Sequence, residues 1–168
     1  MQWFDWMVLA IVLVVAVVET IRGLKSGGMG LPLFDAAGLV ASAVAATHLS
    51  GRIAQMLHWE KHVVMILIFV VLGICSFLVG YWLFTMTSWS FQSLDGFFSF
   101  LFGVAGGWAI AHMVLRILIE SQGVTGPIAS AMGNAVIARE IFEFRGWNWV
   151  MRLLFRVKLG PEVNPDVG

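Results

Sequence analysis

Two stretches of this chain, residues 62–84 and 97–119, are almost entirely apolar and long enough to cross a lipid bilayer as helices. The hydrocarbon core of a bilayer is about 30 Å thick and is spanned by about 20 helical residues. The chain provides that length up to four times within 168 residues. Since water does not keep such segments dissolved, the sequence predicts an integral membrane protein.

The composition supports the same class. The chain is 60% hydrophobic and 12% charged, whereas soluble domains are about 45–50% apolar and about 25% charged. The ten Lys and Arg residues balance the ten Asp and Glu residues, so the net charge gives no sign of a nucleic-acid partner. Cys75 is the only cysteine, which excludes an intrachain disulfide.

The predicted fold class is an all-α integral membrane protein with four transmembrane helices followed by an amphipathic interfacial helix. The transmembrane helices are expected at about 6–22, 31–49, 62–84 and 97–119. The segment 23–30 holds four glycines and is predicted to be a turn between the first two helices. Pro32 suits the start of the second helix, because its missing N–H group is not needed in the first turn.

Small residues mark two of the predicted helices as packing surfaces. The second helix has a small residue at almost every turn, and the fourth places Gly103 and Gly107 at a GxxxG spacing. Small residues let helix backbones approach closely, which drives helix association in lipid. Beside the lipid bilayer itself, a homo-oligomer or another membrane protein is therefore the expected partner.

The remaining segment, 121–168, is predicted to comprise a Gly/Ser linker, an amphipathic helix at about 134–158 and a disordered tip at 161–168. On a 3.6-residue period, apolar residues such as Ile137 and Ile141 fall on one side of this helix and arginines on another. Such a helix suits the plane of the lipid headgroups. A partner-binding helix is the competing interpretation.

The basic residues bear on topology. Two Lys or Arg residues fall in the first loop, two in the second, none in the third and six from Arg116 onward. Positive-inside counting then puts both ends of the chain in the cytoplasm. Most of the six lie beyond the roughly 15–20 residues from a span over which that rule is reliable, so the side on which the ends lie stays open.

Several short motifs occur together in residues 1–120. They are Trp3-Phe4-Asp5 before the first apolar helix, Arg22-Gly23 after it, Gly30 and Asp35 at the second helix, and Leu94-Asp95, Ser99, Phe102-Gly103 and Gly107 around the fourth. Together they resemble the colicin V production protein family of small bacterial inner-membrane proteins. The run from Leu94 to Gly107 has the spacing of that family and is the most specific part of the resemblance.

The resemblance implies a multi-span inner-membrane protein linked to colicin V production or export and to upkeep of the cell envelope, without an established chemistry. Some relatives carry an extracytoplasmic protease behind their helices, which would place the carboxyl end outside. The chain departs from the family pattern at three positions: Gly96 and Gly106 replace arginines, and Ser99 replaces a glycine. The charge pairing of the family near this loop is therefore not assumed here.

Asp35 and Asp95 are the leading candidates for functional residues, because an ionisable group at membrane depth costs at least about 2–3 kcal/mol. If the second helix begins at Pro32, Asp35 lies in its first turn, where the helix dipole favours an anion. The alternatives are a salt bridge with Arg22 or Lys25, or the handling of ions or protons. Asp95 similarly complements the start of the fourth helix or contacts the first loop or a partner.

Other polar residues have simpler interpretations. Arg116 with Glu120, and Glu19 with Arg22, are spaced as interfacial ion pairs along a helix. His112 is interpreted as a hydrogen-bonding residue between helices. His58 and His62 lack the further ligands of a metal site, and we find no catalytic motif. The sequence thus predicts no enzyme, no cofactor and no metal site.

Two hypotheses for function follow. The first is a membrane accessory protein of the colicin V production family that supports production or export of a toxin or peptide and envelope homeostasis. The second is a small oligomeric transporter or channel with acidic residues near its helix entrances. An intramembrane enzyme is a third and less favoured possibility, because catalysis requires groups within hydrogen-bond reach of one another.

Overall fold

The computed structural model describes residues 3–90, 92–123, 126, 131 and 134–143. In this part of the chain all regular structure is helical. The helices are α1 (Trp3–Ser26), α2 (Gly30–Leu57), α3 (Lys61–Thr87), α4 (Asp95–Gln122) and α5 (Ile137–Glu143), with a short 3₁₀ helix at Gln92–Leu94.

The predicted all-α membrane fold is confirmed by α1 to α4. These four helices contain 24, 28, 27 and 28 residues and are apolar enough to cross a membrane. At 1.5 Å per residue they are about 36–42 Å long, which exceeds the hydrocarbon core of about 30 Å. The protein is therefore a multi-pass membrane protein. Of the amphipathic helix predicted at 134–158, residues 134–143 are described, and α5 is the part of them that is helical. Most of the 121–133 linker and all of the 161–168 tip lie outside the described residues.

The four long helices pack side by side in the order α1, α4, α2, α3, because the most extensive contacts join α1 to α4, α2 to α3 and α2 to α4. One apolar cluster, which includes Phe4, Val8, Ala111 and Leu115, fills the space between α1, α4 and α5. A second, which includes Leu39, Ala46, Met65 and Met113, fills the space between α2, α3 and α4. Helices α3 and α4 thus flank α2 on either side.

Exposed aromatic residues mark the two ends of this bundle. Trp3, Trp6 and Trp59 lie at one end, where α1 begins and α2 turns into α3. Tyr81, Trp82 and Trp89 lie toward the other, where α3 leads into α4. Trp and Tyr are enriched at both membrane–water interfaces. The two belts are therefore consistent with helices that cross the membrane along their length.

The turn predicted at 23–30 is shorter than expected. Helix α1 continues through Ser26, and only residues 27–29 form the turn. Gly27 has the left-handed φ of 76° that ends many helices, and the N–H of Gly28 donates to the carbonyl of Gly23 at 3.1 Å. The prediction of a turn from glycine content alone was wrong at Gly23, because that glycine serves a close helix contact rather than a break.

Candidate functional site

Three charged side chains meet between α1 and α2 in what we call the acid–arginine cluster, which consists of Glu19, Arg22 and Asp35. The Nη1 atom of Arg22 lies 2.6 Å from Oε1 of Glu19 and 2.7 Å from Oδ2 of Asp35. The Asp35 side chain is 0% exposed and that of Arg22 is 37% exposed. One guanidinium nitrogen thus joins two buried carboxylates.

Asp35 does not occupy the position predicted for it. Helix α2 begins at Gly30 rather than Pro32, so Asp35 lies beyond the first turn and its carboxylate is not at the helix end. The early start follows from a backbone contact, because the N–H of Gly30 donates to the carbonyl of Trp89 at 3.1 Å. Of the alternatives open at the sequence level, the structure has the salt bridge with Arg22.

The pair Glu19–Arg22 forms as its spacing predicted, but it is not a solvent-exposed pair. Glu19 is only 5% exposed, and Arg22 also holds Asp35. The guanidinium carbon of Arg22 lies 5.6 Å from the centre of the Phe77 ring, a distance typical of a cation–π contact. The cluster is therefore enclosed by α3 as well as by α1 and α2.

Glycines allow the helices to close around this cluster. A Cβ atom at Gly103 would lie 2.6 Å from Cα of Ala16 and 3.0 Å from Cβ of Glu19, and one at Gly80 would lie 3.1 Å from Oδ1 of Asp35. The 2.6 Å approach to the Ala16 backbone leaves no room for a methyl group at Gly103, and a methyl group at Gly80 would make a tight contact with the Asp35 carboxylate. Glycine on α4 and on α3 is thus what permits the close approach to the two acids.

Gly107 continues the same contact between α1 and α4. A Cβ atom there would lie 2.8 Å from Cα of Val12. The GxxxG pair of Gly103 and Gly107 is therefore used inside this chain, against α1. Gly23 has the matching role on α1, where a Cβ atom would collide with the side chain of Ser99 and lie 3.1 Å from Cγ of Pro32.

Asp95 links the α1–α2 turn to the segment between α3 and α4, at the same end of the bundle as the acid–arginine cluster. Its Oδ1 atom accepts a hydrogen bond from the N–H of Met29 at 3.1 Å, and its Oδ2 atom accepts one from the hydroxyl of Ser90 at 2.6 Å. Asp95 is 6% exposed. Of its predicted alternatives, the contact with the first loop is present, and it holds the α1–α2 turn against the start of α4.

Gly96 and Gly106, two of the positions at which the chain departs from the pattern it resembles, lie in different surroundings. A Cβ atom at Gly106 would lie 3.3 Å from Cδ1 of Leu39 and 3.7 Å from Cα of Ala36, so this position faces α2. An arginine there would have to enter the α2–α4 interface. A Cβ atom at Gly96 would make an ordinary contact, 3.4 Å from Cδ2 of Leu24.

A fourth buried acid, Asp5, was given no role by the sequence analysis. It is 0% exposed, and its Oδ1 atom accepts hydrogen bonds from the N–H groups of Ile137 at 2.8 Å and Ala138 at 2.9 Å. Asp5 therefore caps α5 from another helix. The available signal was an acid within the first residues of an apolar helix, but its partners are more than 130 residues away in the sequence.

The structure also gives the partners of two other polar residues, Glu120 and His112. Glu120 pairs with Lys61 at 2.9 Å, so the expected Arg116–Glu120 pair was wrong, because the start of α3 lies beside the end of α4. His112 donates from Nδ1 to the carbonyl of Ile141 at 3.2 Å, which is the interhelical hydrogen bond that its interpretation predicted. In the described residues no group of three or more His, Cys, Asp or Glu side chains is close enough to hold a metal ion.

The acid–arginine cluster contains two carboxylates and one guanidinium, so its charges do not cancel when both acids are ionised. Oε2 of Glu19 and Oδ1 of Asp35 are buried and accept no hydrogen bond from a described residue. A groove between α2 and α3, lined in part by Phe34, Ser76 and the exposed Cys75, also includes Gly80, which packs on Asp35. Such a cluster is able to hold a charged or protonated group against the α2–α3 interface.

No protein-family profile matches the chain, and neither a curated protein nor a solved structure is significantly similar to it.

Proposed function

We propose that this chain is an accessory protein of the bacterial inner membrane, of the colicin V production kind. In this proposal it supports production or export of a toxin or peptide and the homeostasis of the cell envelope, without catalysing a reaction. The motifs that carry the resemblance are the basis of the proposal. A structural observation adds to them, because motif residues far apart in the sequence contact one another.

The contacts in question involve all the motif segments after the first. Arg22 pairs with Asp35 at 2.7 Å, and Gly23 packs against Ser99. Asp95 accepts a hydrogen bond from the N–H of Met29, which precedes Gly30. A chance similarity of short motifs gives no reason for such mutual contact. A shared fold, in which these residues hold α1, α2 and α4 together, gives one.

The proposed role is tested by deleting the gene from its host and measuring survival under bile salt, high salt and a wall-active antibiotic. Loss of envelope upkeep predicts sensitivity that the wild-type gene restores. Full survival of the deletion strain under all three stresses would refute the envelope role, and secretion of a co-expressed peptide toxin then tests the export role separately. Fractionation of the same cells tests the inner-membrane location.

The proposed partner is a second copy of the chain or another membrane protein. Cys75 is exposed on α3 and is the only cysteine, so it reports proximity without engineering. Thiol cross-linking and amine cross-linking in intact membranes are expected to trap one discrete larger species, and Cys75→Ser identifies the thiol-dependent fraction. A purely monomeric pattern with both reagents would contradict this part of the proposal.

A second candidate function is a small oligomeric transporter or channel. It is favoured by the burial of an unbalanced acidic cluster between helices, since ionisable residues inside membrane proteins often mark ion or substrate pathways. Ion flux into proteoliposomes that contain the purified chain is the assay. Flux that is absent, or that is unchanged in Asp35→Asn, would exclude this function.

A further inference from the structure

The charges of the acid–arginine cluster do not cancel. Glu19 and Asp35 contribute two carboxylates, and both contact the same nitrogen, Nη1 of Arg22. If both acids are ionised, one negative charge remains on two residues that are at most 5% exposed. A buried charge without a partner is strongly unfavourable, because protein and hydrocarbon solvate it poorly.

The neighbouring helices bring no second cation to the cluster. From α3 it is faced by the Phe77 ring and by Gly80, and from α4 by Gly103. Lys25, the next cation along α1, is exposed and forms no salt bridge with a described residue. Among the described residues, Arg22 is thus the one cation in ion-pair contact with either acid.

Unpartnered buried oxygens give independent evidence of a missing ligand. Oε2 of Glu19 and Oδ1 of Asp35 are the carboxylate oxygens that Arg22 does not contact, and neither accepts a hydrogen bond from a described residue. Ser99 is 0% exposed and its hydroxyl also makes no hydrogen bond with a described residue. It lies on α4 one turn before Gly103, which packs on Glu19. Buried polar atoms are nearly always satisfied in native proteins.

We propose that the acid–arginine cluster is a binding site for one exchangeable proton, which Glu19 and Asp35 share on the oxygens that Arg22 does not contact. A proton from water forms one O–H bond with a carboxylate, and the cluster becomes neutral with one carboxylic acid, one carboxylate and one guanidinium. No other bond is formed or broken.

The cluster lies near one end of the bundle. Arg22 is four residues from the end of α1 and is partly exposed, and Asp35 is five residues from the start of α2. At 1.5 Å per residue this places the cluster about 6–8 Å inside the helix ends. The proton-binding proposal depends on neither the envelope role nor the transport role.

The proton count is tested by infrared spectroscopy of the purified full-length chain in phosphatidylcholine vesicles, through the carbonyl stretch of protonated carboxyl groups during a pH titration. The wild type is expected to show one buried carboxylic acid at neutral pH. Glu19→Gln and Asp35→Asn each leave one carboxylate with Arg22, so both are charge-balanced and are expected to lose the signal. Arg22→Gln leaves two acids without a cation, and its signal is expected to double. Glu60→Gln, whose carboxylate is 76% exposed, is the matched control and is expected to match the wild type.

The single neutral variants decide the proposal even if Arg22→Gln does not fold. A wild type without the signal at neutral pH, or a signal that persists in both Glu19→Gln and Asp35→Asn, would overturn it. If sodium chloride raises the thermal stability of the wild type but not of these variants, and no carboxylic acid is seen, the site binds a metal cation and the proton proposal is wrong. A normal proton count in a chain with no envelope phenotype would leave the site established and refute only the proposed role.

Discussion

Replacement of Gly103 by Ala is expected to destabilise the α1–α4 interface, because the added methyl group has no space. Its Cβ atom would lie 2.6 Å from Cα of Ala16 and 3.1 Å from the carbonyl oxygen of the same residue. Carbon atoms in contact are ordinarily about 3.5–4.0 Å apart, so the two backbones would have to separate by about 1 Å. Both collisions are with backbone atoms, which a rotamer change cannot relieve. Overpacking of this kind typically costs about 1–3 kcal/mol.

Gly73 provides a matched control for this substitution. It lies on α3, and nothing is found within 4 Å of a Cβ atom built there. Gly73→Ala therefore adds the same methyl group and the same gain in helix propensity, up to about 1 kcal/mol, without a collision. The difference between the two variants isolates the contact and is expected to be about 1–3 kcal/mol, which is up to about a hundredfold in the folding equilibrium.

Reversible unfolding in mixed detergent micelles, followed by tryptophan fluorescence, measures both variants, since the chain has eight Trp residues. Gly103→Ala is expected to unfold at a lower fraction of denaturing detergent than Gly73→Ala. Equal unfolding midpoints would refute the reasoning that α1 and α4 meet backbone to backbone at Gly103.

Three further predictions concern buried charges. Arg22→Gln is expected to cost about 3–5 kcal/mol, as is typical when one partner of a buried ion pair is removed, and unchanged unfolding in the same micelle assay would contradict it. Asp95→Asn is expected to cost about 1–3 kcal/mol by weakening the bonds from Met29 and Ser90, with faster hydrogen exchange at the Met29 amide; equal exchange would contradict it. Asp5→Ala is expected to cost about 0.5–2 kcal/mol through loss of the cap of α5. Amide hydrogen exchange is expected to become faster at residues 137 and 138 and at no other residue, and unchanged exchange at these two amides would contradict the prediction.

The number of helices that are long and apolar enough to cross a membrane could be predicted from the sequence, because this depends on the length and polarity of each segment. The residues 62–84 and 97–119 lie within α3 and α4, and no tertiary information is needed to find them. The ends of the helices were harder to predict from the sequence. Gly23 looked like a helix breaker, and only the neighbouring Ser99 on α4 explains why glycine stands inside α1.

The partners of the buried acids could not be chosen from the sequence. Whether Asp35 lies at a helix end or reaches Arg22 depends on a two-residue difference in where α2 starts, at Gly30 rather than Pro32. At that start the N–H of Gly30 donates to the carbonyl of Trp89. The partner of Asp5 was harder still to predict, because the N–H groups that donate to its carboxylate belong to α5. The residues next to Asp5 in the sequence give no sign of this contact. Local patterns thus located the acids, and the packing of distant helices assigned their partners.

The account is tested most directly by rescue of the deletion strain under bile salt with wild type, Asp35→Asn and Glu60→Gln, each at equal abundance in the membrane. If the acid–arginine cluster is the functional centre, wild type and Glu60→Gln restore survival and Asp35→Asn does not, because it removes one of the two buried carboxylates that Arg22 holds. Full rescue by Asp35→Asn at wild-type abundance would contradict this claim and would make the cluster a structural feature only.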